Sequence, residues 1–248
     1  WAKYNNSPFN SQIKIFKNKF YVVDSNSILR CYSLTTGEEI WNFKTDKPLI
    51  KSQKKNSLII KKNNIIFNNS VGDITAVNSD TGDLVWQIPT QSKKINDESM
   101  FFKNSDLISA KNSILFSNNN NDFFSLDADS GFVNWKKKIN SNVRPVFFNN
   151  FIFTITNEGY LVVINNKNGN LVRSTYLFSN FKKKKRKKIK PIGFVVGEIN
   201  VYLTLNNGRL LVVDIKTGSV NTVLKIDNEK ISSPIVQGQN LYVTKNNS

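Results

Sequence analysis

Short runs in which apolar and polar positions alternate recur along this chain, separated by clusters of Asn, Asp, Ser and Gly. The stretch "DITAVNSDTGDLVW", residues 73–86, has one such run, a turn, and a second run that ends on tryptophan. Period-two alternation marks a half-buried strand, so the stretch predicts a hairpin. Glycines in the same setting occur at Gly37, Gly82, Gly131, Gly169 and Gly218, at intervals of 45, 49, 38 and 49 residues. A period of about 45 residues is that of four-stranded propeller blades. The hairpin is therefore read as one part of a repeating unit.

Other columns repeat with the glycine. Six residues before it stands a small or β-branched residue (Cys31, Ala76, Ser125, Val163, Val212), and the next position is apolar (Tyr32, Val77, Leu126, Ile164, Val213). Four before it stands a turn-former: Ser33, Asn78, Asp127, Asn165 and Asp214. Such side chains bond their own backbone and start a turn, and glycine supplies the positive φ that other residues resist. Ten before it lies another turn position, Ser27, Gly72, Asn121, Gly159 or Gly208. Four after it is Trp41, Trp86 or Trp135, replaced by Arg173 and Thr222 in the last two units. A tryptophan at a fixed place can bury a large area against the neighbouring unit.

Upstream of each hairpin lies a further β-rich run: "KFYVVD", "NNIIFNN", "NSILFSN", "NFIFTIT" or "INVYLTL". Before that comes a shorter run often led by proline, as in "SPFN", "RPVFF", "KPIGFVV" and "SPIV". Proline fits the first residue of a strand. Each unit thus predicts four strands, A to D. The last stretch, "SPIVQGQNLYVTKNNS", predicts strands A and B of another unit, and Trp1 suits the last strand of a preceding one. The expectation is one all-β propeller domain over residues 1–248, with five complete repeats plus partial ones, cut within the array at both ends.

A small residue, an apolar one, Asp or Asn, Thr-Gly and then Trp resembles the docking motif of the quinoprotein-type (PQQ-like) β-propeller repeat. "AVNSDTGDLVW" matches it closely, "CYSLTTGEEIW" and "SLDADSGFVNW" match well, and the last two units are degenerate. The resemblance implies blades around a channel, usually eight, with Gly37, Trp41, Gly82, Trp86, Gly131, Trp135, Gly169 and Gly218 as blade-docking residues. The short units and loops are most similar to the outer-membrane assembly lipoprotein BamB family. That likeness implies a non-catalytic scaffold, lipid-anchored at the periplasmic face of the outer membrane. Its partners would be a subunit of the β-barrel assembly machinery and unfolded outer-membrane clients. The alternative is a fragment of a quinone-dependent alcohol or sugar dehydrogenase.

Composition bears on that choice. The chain of 248 residues has no histidine and one cysteine. Histidine-based acid–base catalysis and metal ligation are thus excluded, along with a disulfide framework or thiolate cluster. The dehydrogenases place two adjacent cysteines against the quinone and hold calcium with Glu, Asn and Asp beside an Asp base. Cys31 has no cysteine neighbour and sits in a column of small packed residues. Asp127 and Asp214 sit in the turn column, and Asp97 and Glu98 lie side by side in a loop without calcium-loop spacing. Neither a GxxxxGK[ST] nor a GxGxxG phosphate loop is present. The reading expects no cofactor, no metal and no catalytic residue in this chain. No apolar run approaches the roughly 18 residues of a membrane span.

Charge adds a second candidate site. Lys and Arg total 35 against 18 Asp and Glu, a net +17. Such a surface is drawn to nucleic acid, anionic lipid or acidic proteins, or the excess reflects a general bias toward Asn and Lys; the sharpest local feature is a single run. "KKKKRKKIK" comprises Lys182, Lys183, Lys184, Lys185, Arg186, Lys187, Lys188 and Lys190 around one isoleucine. Gly169 to Pro191 is 22 residues, against 14 from Gly131 to Pro145. The run therefore fills an insertion where strand D of one blade passes to strand A of the next. It is a solvated loop, a site for an anionic membrane surface or an acidic protein partner. Nucleic acid is disfavoured, because no aromatics interleave the charges.

Overall fold

The structure, a computed structural model, describes residues 1–46, 55–69, 72–90, 104–118 and 120–245. Its fold is all-β and of the propeller class, built of antiparallel four-stranded blades. The first blade holds β1 (Lys14–Phe16), β2 (Lys19–Val23), β3 (Ile28–Ser33) and β4 (Glu39–Lys44). The second holds β5 (Leu58–Lys61), β6 (Asn64–Asn68), β7 (Ile74–Asn78) and β8 (Leu84–Ile88). The third holds β9 (Ile108–Ala110), β10 (Ser113–Ser117), β11 (Asp122–Asp127) and β12 (Val133–Lys138). The fourth holds β13 (Val146–Phe148), β14 (Phe151–Ile155), β15 (Tyr160–Asn165) and β16 (Leu171–Tyr176). After a helical turn, α1 (Lys183–Arg186), come β17 (Pro191–Val196), β18 (Asn200–Leu205), β19 (Arg209–Asp214) and β20 (Val220–Lys225) of the fifth. A hairpin of β21 (Ile235–Gln237) and β22 (Asn240–Tyr242) follows. Within every blade the strands pair in chain order, A to D.

Contacts divide the chain into two compact units, residues 1–136 and 137–248. In the first unit, Tyr21, Leu29, Cys31, Leu58, Ile65 and Phe67 form one buried cluster. Ile66, Ala76, Trp86, Ile114 and Phe116 form another. In the second unit, Phe153, Ile155, Leu161, Phe178, Leu203 and Leu211 form a continuous core. Each cluster draws on two successive blades, so burial of facing sheet surfaces, at roughly 25 cal/mol per Å², ties blade to blade.

Pairing explains the small-residue column. Cys31 lies opposite Trp41, Ala76 opposite Trp86, and Val163 opposite Arg173, each where the register shifts by one residue. A large side chain on strand D needs a small neighbour across the ladder. The B–C turn has a column of its own. Gly72, Gly159 and Gly208 have positive φ there, and so do Ser27 (φ 62°) and Asn121 (φ 59°).

One polar column escaped the sequence reading. Asp24 is fully buried. Its Oδ1 accepts from the backbone N–H of Asn26 (2.8 Å) and Ile28 (3.0 Å), and its Oδ2 accepts from Arg30 Nε (3.0 Å). Asn118 caps the third blade's turn in the same way, accepting from Asn120 and Asp122 N–H at 3.0 Å each. The first strand A also differs from expectation. "SPFN" is not part of it: β1 is "KIF", and Pro8–Asn10 runs beside the end of β2, where Asn10 N–H donates to Val23 O and Ser25 N–H to Pro8 O, both at 2.8 Å. Asp24→Ala strips a buried cap and leaves Arg30 short of a partner. It should destabilise the fold by about 3 kcal/mol, read by urea denaturation.

Candidate functional site

The C–D turns are built alike. The N–H of Gly37, Gly82, Gly131, Gly169 and Gly218 donates to the carbonyl four residues earlier at 2.8–2.9 Å. The side chain of that earlier residue caps the turn. Asp127 Oδ1 accepts from Asp129 and Ser130 N–H (3.1 and 2.9 Å), and Asp214 Oδ1 from Lys216 and Thr217 N–H (3.0 and 2.7 Å). Bonds from the Ser130 and Thr217 amides lead in holding both carboxyls below their ordinary pKa. These acids are thus engaged as ionised turn caps.

The face of a tryptophan covers the turn. The indole of Trp41 lies on Gly82 and that of Trp86 on Gly131, where a Cβ would stand 2.7 Å from ring carbons. Trp1 lies on Gly37 in the same manner. Trp1 Nε1 donates to Leu34 O (2.9 Å) and Trp86 Nε1 to Ala128 O (3.2 Å), each carbonyl three residues before the covered glycine. At the Trp41 junction the corresponding carbonyl, Ser79 O, accepts instead from the buried Tyr21 hydroxyl (3.1 Å). Trp135 is buried and stacks on Phe123 at 6.0 Å. Gly169 takes φ 69° in its own turn.

The degenerate fourth unit keeps this geometry with another residue. Arg173 lies against Gly218. Its guanidinium donates to Ile215 O at 2.8 Å, again three residues before the glycine, and to Lys216 O. Arg173 therefore takes the tryptophan's place at this junction. Beside it, Phe148, Phe151, Phe153, Val172 and Ile215 line an apolar groove of about 300 Å³. Thr222, in the same column of the fifth blade, is exposed.

A polar cluster joins the A–B turn of the first blade to the A–B and C–D turns of the second. Lys17 and Lys19 Nζ meet the two carboxylate oxygens of Asp80 at 3.1 and 3.2 Å, and Asn63 donates to it at 2.9 Å. The Asn63 bond and then the two lysines draw the Asp80 carboxyl down to about 2. Lys62 meets Asp129 at 2.7 Å at the next junction.

The basic run adopts a defined form. Lys182 to Lys185, Lys187, Lys188 and Lys190 are exposed, Arg186 is partly buried and Ile189 is buried. Arg186, grouped with the lysines in the sequence reading, turns inward. Its Nε donates to Phe181 O (2.8 Å), its Nη2 to Ser179 O (2.7 Å), and it lies 6.0 Å from the Tyr176 ring centre.

Candidates for redox or metal chemistry fare as follows. Cys31 is a free, fully buried thiol, pushed up to about 11 chiefly by burial. Among the described residues no three His, Cys, Asp or Glu side chains converge as metal ligands. Asp97 and Glu98 lie outside the described residues.

Residues 1–175 match the family described as outer membrane protein assembly factor BamB. The chain belongs to that family. Among curated proteins, none matches it in sequence. Its fold is similar to the crystal structure of BamB from Moraxella catarrhalis, at a TM-score of 0.60 and 11% identity over 98% of this chain and 84% of that one. It is also similar to the quinohemoprotein alcohol dehydrogenase of Comamonas testosteroni, at a TM-score of 0.68 and 11% identity, covering 88% of this chain and 43% of that one. The quinohemoprotein alcohol dehydrogenase ADHIIG of Pseudomonas putida HK5 gives 0.66 and 10% over 89% and 42%. The chain thus spans under half the length of either dehydrogenase.

Two outcomes follow. Trp86→Ala should lower stability by roughly 3–5 kcal/mol in chemical denaturation, because it empties a buried junction; a loss below about 1 kcal/mol would show the indole to be undocked. Because Asp80's pKa is depressed in the fold, its contribution is present above the ordinary carboxylate pKa and disappears as pH falls through about 2. Asp80→Asn should therefore lower Tm near neutral pH, by an amount that shrinks as pH falls toward about 2 and vanishes below it.

Proposed function

We propose that this protein is a non-catalytic binding propeller that assists the assembly of outer-membrane β-barrel proteins at the periplasmic face of the membrane, held there by a lipid anchor. Membership of the BamB family across residues 1–175 is the observation that carries this reading. The chemistry of the chain agrees with it. The one thiol is buried and held in its neutral form, and Asp127 and Asp214 are tied into turns. What the described surface offers is contact area. Among the described residues the outer strands leave one edge unpaired and carry exposed Leu84, Val85, Leu171 and Val172. An extended client or partner segment can add to such an edge by β-augmentation, with main-chain bonds for affinity and apolar contacts for register. No helix among the described residues is long and apolar enough to cross a membrane.

The likeness to quinohemoprotein alcohol dehydrogenases favours one other reading, a quinone-dependent oxidoreductase. One paired experiment separates the two. The purified protein should co-elute with purified β-barrel assembly machinery and show no alcohol oxidation with added pyrroloquinoline quinone and calcium. Turnover of an alcohol under those conditions, without co-elution, would overturn the proposal.

A further inference from the structure

The basic run is held in place by the residues of the run that are not lysine. Ile189 is buried in the core of the second unit, beside Phe178, Leu205 and the other apolar residues there. Arg186 clamps the preceding turn through the Ser179 and Phe181 carbonyls. Asn206, in the B–C turn of the next blade, closes the far end: it accepts from Lys190 N–H (2.9 Å) and donates to Lys188 O (3.0 Å). Between these anchors Lys185 N–H bonds Lys182 O (2.8 Å) and Lys188 N–H bonds Lys185 O (3.0 Å). The backbone is fixed, and all seven lysine side chains of 182–190 are left exposed. None has an ion-pair partner among the described residues. Of the acidic groups on other turns at this end of the unit, Asp227 is engaged with the Asn228 and Glu229 amides and Lys245, and Glu158 with Asn140, while Glu229 is exposed.

We propose that the loop of residues 182–190 is a docking surface for an anionic lipid bilayer. The division of labour within the run points to that partner. Its one guanidinium, the group suited to bidentate recognition of a single phosphate or carboxylate, is spent on the protein's own backbone. Seven ammonium groups remain, each a mobile, strongly hydrated point charge. Point charges without a pocket or a fixed fork suit a diffuse field of headgroup phosphates rather than one placed ligand. The aromatics that would stack nucleic-acid bases are turned inward, Phe178 fully buried and Phe181 edge-on against it at 6.1 Å. Polybasic segments gain attraction to anionic membranes with each added charge, within a Debye length of about 10 Å. A pinned backbone presents the seven charges together and loses little chain entropy on contact. The inference goes beyond the assembly reading and does not depend on it, since vesicle binding requires no assembly machinery.

The test is sedimentation of the protein with vesicles of phosphatidylglycerol and phosphatidylcholine, or of phosphatidylcholine alone, at low salt. The wild type should bind only the phosphatidylglycerol vesicles, and the binding should fall as salt rises. Changing the seven lysines to serine should cut binding by at least about 100-fold while leaving Tm unchanged, because none of those side chains bonds to the described residues. Changing them to arginine should preserve binding. Neutralising seven exposed lysines elsewhere, among them Lys3, Lys44, Lys167 and Lys225, should cost less than about tenfold. The proposal is overturned if the wild type fails to bind at low salt, if the serine variant still binds, or if both neutralised sets lose binding equally. Capture by soluble polyglutamate without vesicle binding would also overturn it and assign the loop to an acidic protein. Should the serine variant not fold, the arginine variant and the salt titration decide: loss of binding in the first, or salt-insensitive binding in the second, overturns it.

Discussion

A glycine with no side chain, lying under a flat one, is the contact on which the blade junctions depend. Gly82 beneath Trp41 and Gly131 beneath Trp86 leave no room for a Cβ. The turn that carries the glycine needs positive φ, so one residue meets two demands, backbone hand and close approach. Once the face of the ring is seated, an N–H at its edge can reach the carbonyl three residues before the glycine. Packing and hydrogen bonding then act at the same place. The size of the residue opposite, Cys31 or Ala76, follows from the bulk of the indole beside it.

The same constraint can be met by other side chains. Arg173 satisfies it with a guanidinium, which like an indole is planar and carries donors at its edge. Tyr21 supplies the missing donor at the Trp41 junction from a different strand. A unit that has lost its tryptophan therefore still joins its neighbour. The substitution leaves an apolar groove beside Arg173, lined by Phe148 and Phe153, which are the column equivalents of the Phe16 and Tyr21 that pack with Trp41.

With the frame set by repetition, what distinguishes the chain lies in its insertions. Functional residues gather on loops that a rigid scaffold positions, and the stretch between β16 and β17 fits that logic. Its lysine side chains make no bond to the described residues, and its backbone is held by Arg186, Ile189 and Asn206. The outer strand edges, unpaired among the described residues, are a second, more general surface.

The repeat, the strand order, the C–D turn and the placement of the basic run all follow from local patterning, and each could be read from the sequence. Period-two alternation, a turn-former and a glycine are short-range signals, and five copies made their columns visible. Tertiary structure decided what depends on partners distant along the chain. Whether Asp24 is a solvated acid or a buried cap rests on Arg30 and a turn closing around it. Whether Arg173 marks a decayed unit or a working junction rests on carbonyls over forty residues away. Arg186 is a charge in a basic run until the fold brings the Ser179 and Phe181 carbonyls and the Tyr176 ring against it. A sequence pattern reports which face of a strand is apolar, because that is set by neighbours two residues away. It does not report which polar group will be enclosed, because that is set by which segments the packing brings together.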